Sequence, residues 1–143
     1  MTSLAGLESV RSARVARLAT VRPDGRPHLV PITFALVDDE TLVFAVDAKP
    51  KRSTDLQRLR NIEAHPSVSV LVDSYGDDWS ALWWVRLDGV AEVVRSEPRR
   101  SQLVEPLVTK YEQYRTARPR EAVVAVRIES TATWAADGRA NRL

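Results

Sequence analysis

The sequence predicts a mainly β fold with helices, an α+β barrel of six antiparallel strands, and three observations carry that expectation. Alternating or β-branched apolar segments outnumber helical ones, and their connections are short and rich in turn residues. The regular strand–helix–strand repetition of a parallel sheet is missing. With 143 residues, 44% hydrophobic and 28% charged, there is material for one compact core, so residues 1–143 are expected to form a single domain.

Leu4, Leu7 and Val10, spaced by three, predict a short helix before Arg14. Val15 to Val21 and Pro27 to Leu36 read as strands joined through Pro23-Asp24-Gly25, a hairpin turn. Asp38-Asp39 marks the next turn, and Thr41 to Val46 completes a meander before the polar, proline-interrupted stretch 47–53. A helix is expected from Thr54, where Thr54 and Gln57 have capping-box spacing and Leu56, Leu59 and Ile62 share a face. It stops before His65-Pro66.

Val68, Val70 and Val72 alternate as a half-buried strand, and a polar loop, Asp73 to Asp78, leads to a long strand from Leu82 to Val94. Ser96-Glu97-Pro98 opens a helix whose apolar stripe is Leu103, Leu107, Val108, Tyr111 and Tyr114, closed by Pro119. The last strand, Ala122 to Trp134, turns Val124, Val126 and Ile128 inward.

Composition removes several function classes. The pI is near 9.3, but the formal excess is only +2 and the basic residues are interspersed with carboxylates, so no nucleic-acid partner is expected. No apolar run approaches the roughly 18 residues of a membrane span. Residues 1–17 lack the pattern of a secretory signal, and the absence of cysteine removes disulfides and thiol-bound metals; the expected location is cytoplasmic. There is no Gly-rich dinucleotide fingerprint, Walker A loop, G-x-S-x-G elbow or His/Asp/Glu grouping at metal-ligand spacing.

Two stretches can carry chemistry. Lys49-Pro50-Lys51-Arg52 precedes a helix N-terminus, with Arg58 one turn inside it, a pattern that suits either a phosphate or a solvated basic surface. Trp79 to Arg86 holds three of the four tryptophans, including Trp79 and Trp84, beside Arg86; such a tract serves ligand stacking, core or interface packing. His28 and His65 have no acid or nucleophile nearby in sequence to make a relay.

The hairpin Leu18-Ala19-Thr20-Val21-Arg22-Pro23-Asp24-Gly25-Arg26-Pro27-His28 resembles the opening of the pyridoxamine-phosphate-oxidase-like split β-barrel proteins, whose fold is that of FMN-binding proteins. Arg58-Leu59-Arg60-Asn61-Ile62 with His65-Pro66-Ser67-Val68 resembles the family's helix after the third strand, where Arg58 matches the basic residue that holds the cofactor phosphate. Trp84-Val85-Arg86-Leu87-Asp88-Gly89 resembles the later strand by which one subunit completes its partner's pocket in the family's homodimers; Trp84 stands where flavin-binding members often carry glutamine. The resemblance covers Leu18 to Val94 by motif and the remainder by element order.

Within the family, the Lys49-Pro50-Lys51 insertion, Asp78-Trp79 and Trp83-Trp84 resemble the branch that uses the deazaflavin coenzyme F420, with FMN as the rival cofactor. The resemblance implies that Val30, Pro31, Ile32 and Thr33 line the ring system through backbone groups, while Lys49, Lys51, Arg52 and Arg58 meet the phosphate and any polyglutamate tail. It further implies an F420-dependent reductase acting as a homodimer on an unsaturated small molecule, with FMN-dependent chemistry or cofactor carriage without turnover as alternatives. The C-terminal substrate-phosphate motif of pyridoxamine-phosphate oxidases is replaced by Ala135-Ala136-Asp137-Gly138-Arg139, so pyridoxal synthesis is not expected. Solvent, His28 and Arg86 stand as alternative proton sources.

Overall fold

A computed structural model describes residues 4–46 and 53–138, with side chains described over 7–46 and 57–138. Helix α1 (Leu4–Ser12) leads into the hairpin β1 (Ala16–Val21) and β2 (Pro27–Ile32), followed by β3 (Ala35–Asp38) and β4 (Thr41–Ala45). Helix α2 (Ser53–Ala64) precedes β5 (Ser67–Ser74), a single 3-10 turn at Trp79–Ala81 and the long β6 (Trp83–Val94). Helices α3 (Arg99–Lys110) and α4 (Glu112–Thr116) then give way to β7 (Val123–Ala135). No helix among the described residues is long and apolar enough to cross a membrane.

The seven strands form one sheet in the order β2-β1-β5-β6-β7-β4-β3, each neighbour antiparallel. The two end strands, β2 and β3, are consecutive in the chain and are joined only by Thr33-Phe34. A sheet whose edges meet at a two-residue link has to curl back on itself, which makes a barrel split along that seam. At the hairpin, Gly25 takes φ +93° and closes the turn with Asp24, whose carboxylate accepts the Arg26 N–H. At the β6–β7 bulge the backbones come so close that a Cβ on Gly89 would lie 2.2 Å from the Arg127 carbonyl oxygen.

Six strands are expected from the sequence and seven are present, because Pro27 to Leu36 is not one strand. Ile32, Phe34 and Leu36 do keep the inward alternation throughout. The partner changes underneath it, from β1 to β4, and the Phe34 N–H is paired with the Tyr111 hydroxyl instead of a strand. The single helix expected up to Pro119 is likewise two. Tyr111 takes an extended conformation between α3 and α4, which turns its ring into the seam.

Two apolar clusters hold the barrel. The interior is filled by Leu18, Phe34, Phe44, Val70, Val72, Val85 and Leu87 among others, with α1 contributing Leu7 and Val10. Outside the barrel wall, Leu103, Val104 and Leu107 of α3 pack on Ala35, Val43, Val123 and Ala125. Strand β7 is therefore covered on both faces, which is why Val123 to Val126 are all buried. In α2, the Gln57 amide donates one turn forward to Asn61 Oδ1 at 2.7 Å.

Candidate functional site

The edge of β2 is the first half of the candidate site. The turn bond from Arg22 N–H to the Arg26 carbonyl sets the phase of the hairpin, so His28, Val30 and Ile32 exchange backbone hydrogen bonds with β1 while residues 27, 29 and 31 point theirs away. Proline at 27 and 31 suits that outer position, where an N–H would have no strand partner. The free edge thus offers the Leu29 N–H and the carbonyls of Pro27, Leu29 and Pro31. Of the four residues expected to line a ring through backbone groups, Pro31 faces outward and Thr33 lies beyond the strand, its hydroxyl 2.9 Å from that of Tyr114. Val30 and Ile32 turn their side chains inward and their backbone groups to β1, and Ile32 is core.

Helix α2, packed against β1 and β6, supplies the second group of candidate residues. It is anchored by a buried polar pair, Asn61 Nδ2 donating to Thr20 Oγ1 at 2.9 Å, in which Asn61 is fully buried. That anchor places Arg58, one turn earlier, with its guanidinium carbon 6.0 Å from the centroid of the Phe44 ring. His28, opposite Thr20 and so on the same inward face, lies within reach of the same charge. Burial first, then Arg22 and Arg58, lowers its pKa, so the imidazole is neutral at pH 7; its Nδ1 is buried with no hydrogen-bond partner among the described residues. A half-buried arginine and a neutral imidazole thus lie within electrostatic reach of each other near the open strand edge, a grouping suited to an anionic group attached to a flat ring. Lys49, Lys51 and Arg52, expected to serve the same anion, lie outside the described residues.

Trp84 and Arg86 sit elsewhere. On β6, Trp83, Val85 and Leu87 face the interior while Trp84, Arg86 and Asp88 face out. With Leu71, Asp73 and Tyr75 of β5, Trp84 and Arg86 line a shallow groove of about 330 Å3. Arg17 pairs with Asp73 at 3.2 Å, and Arg86 with Asp88 at 3.1 Å. Asp88 is held below the usual carboxylate range by the Ser69 hydroxyl, 2.6 Å away, and by Arg86 and Ser130, against a smaller opposing effect of burial. Trp134 of β7 lies opposite Trp84 and meets Tyr75 with ring centroids 6.5 Å apart. Trp79 does not line this groove; it is 76% exposed on the 3-10 turn capped by Asp78.

Among the described residues the expected site is therefore divided: Val30, Pro31, Ile32, Thr33 and Arg58 belong to β2, its exit and α2, Trp84 and Arg86 to the outer face of β6, and Trp79 to neither. Strands β1 and β5 separate β2 from β6 in the sheet. Asn61, Thr20, Asp73 and Tyr75 join these groups only in the folded chain. Inward alternation with Ala16 and Leu18 marks Thr20 as buried, and Asn61 beside the apolar positions Leu59 and Ile62 is the matching polar signal.

Comparison with known proteins agrees with this architecture. A conserved hypothetical protein of Mycobacterium tuberculosis, Rv2991, has a solved structure with a TM-score of 0.74 at 26% identity, covering 100% of this chain and 89% of its own. A FAD-binding protein of Mesorhizobium loti gives a TM-score of 0.69 at 21% identity, with coverage of 93% and 94%. The heme storage protein HutZ of Vibrio cholerae gives 0.67 at 17%, with coverage of 94% and 95%. These last two likenesses are of fold. No curated protein sequence matches this one. The family model described as pyridoxamine 5'-phosphate oxidase matches residues 6–135, and the chain belongs to that family.

Proposed function

We propose that this protein is an F420-dependent oxidoreductase, working as a homodimer that reduces an unsaturated small molecule. The observation that carries this reading is the Arg58 guanidinium of α2, set over Phe44 and within electrostatic reach of a neutral His28 on the edge strand β2. Arg58 would hold the cofactor phosphate, the β2 edge would orient the ring through Leu29 and Pro31, and His28 Nδ1 supplies a buried polar atom in the same grouping. Bound there, a deazaflavin supplies hydride chemistry at its ring carbon, and the protein contributes orientation and exclusion of water.

Two features favour F420 over FMN. The sequence places Lys49, Lys51 and Arg52 just before α2, more positive charge than a single phosphate needs and suited to an acidic tail. Trp84 replaces the glutamine common in flavin-binding relatives. The homodimer reading is supported by the outer face of the sheet, where Tyr75 and Trp134 are exposed beside the groove lined by Trp84 and Arg86, a surface that a second copy would cover.

Titration of the purified protein with oxidised F420 and with FMN, followed by tryptophan quenching, tests the reading. F420 should bind more tightly, and Arg58→Ala should weaken it by about 1.5–3 kcal/mol, the worth of a hydrogen bond to a charged group. Tighter FMN binding would move the protein to the flavin-dependent alternative. Binding of neither, or an affinity indifferent to Arg58, would overturn the assignment of this grouping. Hydride transfer from the reduced cofactor to a panel of conjugated acceptors separates an enzyme from a carrier.

A further inference from the structure

A second cation belongs to the grouping of His28 and Arg58, and the first hairpin puts it there. The Arg22 N–H donates to the Arg26 carbonyl and the Gly25 N–H to the Arg22 carbonyl, so the turn uses the backbone of residue 22 and nothing of its side chain. Thr20 lies opposite His28 on the inward face, and Arg22, two residues on, shares that face as the diagonal neighbour of His28. Helix α2 is fixed to the same patch by the Asn61–Thr20 hydrogen bond, with Arg58 one turn earlier. The joint thus carries one arginine on the strand side and one on the helix side, with the imidazole within electrostatic reach of both.

The charge of Arg22 is unanswered. The carboxylate next to it in the turn, Asp24, is taken up by Arg26, accepting its backbone N–H at 3.0 Å and facing its guanidinium at 3.7 Å. Among the described residues no carboxylate pairs with Arg22, and none offsets the two arginines at His28. Elsewhere the pattern is different: Arg17, Arg86, Arg95, Arg99 and Arg127 each have a carboxylate within 3.2 Å. Those five are exposed, where water alone would serve them, whereas Arg22 is half-buried. A guanidinium keeps its charge in any protein environment, so partial burial without a counter-ion has a cost that a bound anion offsets. Half of its surroundings are open, so an incoming anion can reach it.

We infer that Arg22 is a further cofactor-binding residue, which with Arg58 grips the phosphate ester of the ring cofactor, one guanidinium supplied by the hairpin and the other by α2. The inference rests on the reading of this grouping as a cofactor site and adds its strand-side contact. Guanidinium forks match phosphate oxygens bidentately, and two of them fix the orientation of the ester as well as its charge. FMN and F420 both carry such an ester; riboflavin and its deazaflavin analogue are the same rings without it.

Arg22→Gln keeps the backbone bonds of the turn and removes the charge. In titrations followed by tryptophan quenching it should bind the phosphorylated cofactor, F420 or FMN, about tenfold to a hundredfold more weakly than the wild type, with riboflavin and its deazaflavin analogue unaffected. Arg22→Lys, which keeps the charge but not the fork, should recover part of the loss. Unchanged affinity for the phosphorylated cofactor, or an equal loss for the phosphate-free rings, would overturn the role of Arg22 and leave the cofactor reading standing. Inorganic phosphate gives an arm independent of either cofactor. In a His65→Gln background the one remaining imidazole is His28, and phosphate should shift its NMR signals saturably. Should neither cofactor bind, the proposed function falls; a phosphate response that Arg22→Gln abolishes would still uphold Arg22 as the phosphate ligand, and a response it leaves unchanged would overturn it.

Discussion

Arg58 and Lys110 repeat one device at two corners of the barrel: each is a helical cation laid over a buried phenylalanine, Phe44 under Arg58 and Phe34 under Lys110. The helices that carry them are docked by different physics. Helix α2 buries Leu59 and Ile62 in the interior and adds the buried Asn61–Thr20 hydrogen bond, whereas α3 is held by the apolar contacts of Leu103, Val104 and Leu107 alone against β3, β4 and β7. The cations differ too. A guanidinium keeps its charge in any protein environment, while an ammonium yields to desolvation and to like charge, as Lys110 does. The same packing motif thus serves a permanent charge at one corner and a tunable one at the other.

The largest effect expected from this contrast is on α3. Leu107→Ala should cost about 2–5 kcal/mol in chemical denaturation, since it empties a fully buried apolar position. Asn61→Ala should cost less, about 1–3 kcal/mol, by leaving the Thr20 hydroxyl without its partner. Equal losses at the two positions would dissolve the distinction between a purely apolar dock and one reinforced by a buried hydrogen bond. Because Asn61 positions Arg58, its substitution should also weaken cofactor binding, a readout that Leu107→Ala should move far less.

The smallest effect sharpens the comparison of the cations. The Lys110 pKa is lowered on folding, so between about pH 8 and the ordinary lysine value near 10.4 the unfolded chain holds more protons and stability rises with pH. Below pH 8 the cost of the buried ammonium is fully present and flat with pH. Lys110→Met should remove that rise and stabilise the protein at pH 7 by about 1 kcal/mol, a figure reduced for solvent screening at a half-buried group. Denaturation midpoints measured at pH 7 and pH 10 check both statements; a variant with the wild-type pH dependence would contradict them.

Much of the wall is legible in the chain itself. Ala16, Leu18 and Thr20, then Val68, Val70 and Val72, and later Val124 and Val126 alternate inward as their spacing requires. The hairpin at Pro23-Asp24-Gly25 follows from turn chemistry, and Arg58 on α2 from helical spacing plus the family's motif. What escaped was always a matter of partners. Ile32, Phe34 and Leu36 look like one strand because alternation records only which side is buried, and it is blind to the switch from β1 to β4. Tyr111 fits a helical stripe, yet its hydroxyl is drawn out of the helix to accept the Phe34 N–H and to lie within hydrogen-bond distance of the Arg14 and Phe34 carbonyls across the seam.

Local preference therefore determined the strand faces, the hairpin and the positions of the helices, because each depends on residues within one or two turns of one another. Tertiary structure alone decided the order of strands around the barrel, the division of the expected site between the β2–α2 grouping and the outer face, and the placing of Lys110 beside Arg14 and Arg11. Those outcomes rest on contacts between residues as far apart as Arg14 and Tyr111, and on the loss of water around them, neither of which any short stretch of sequence contains.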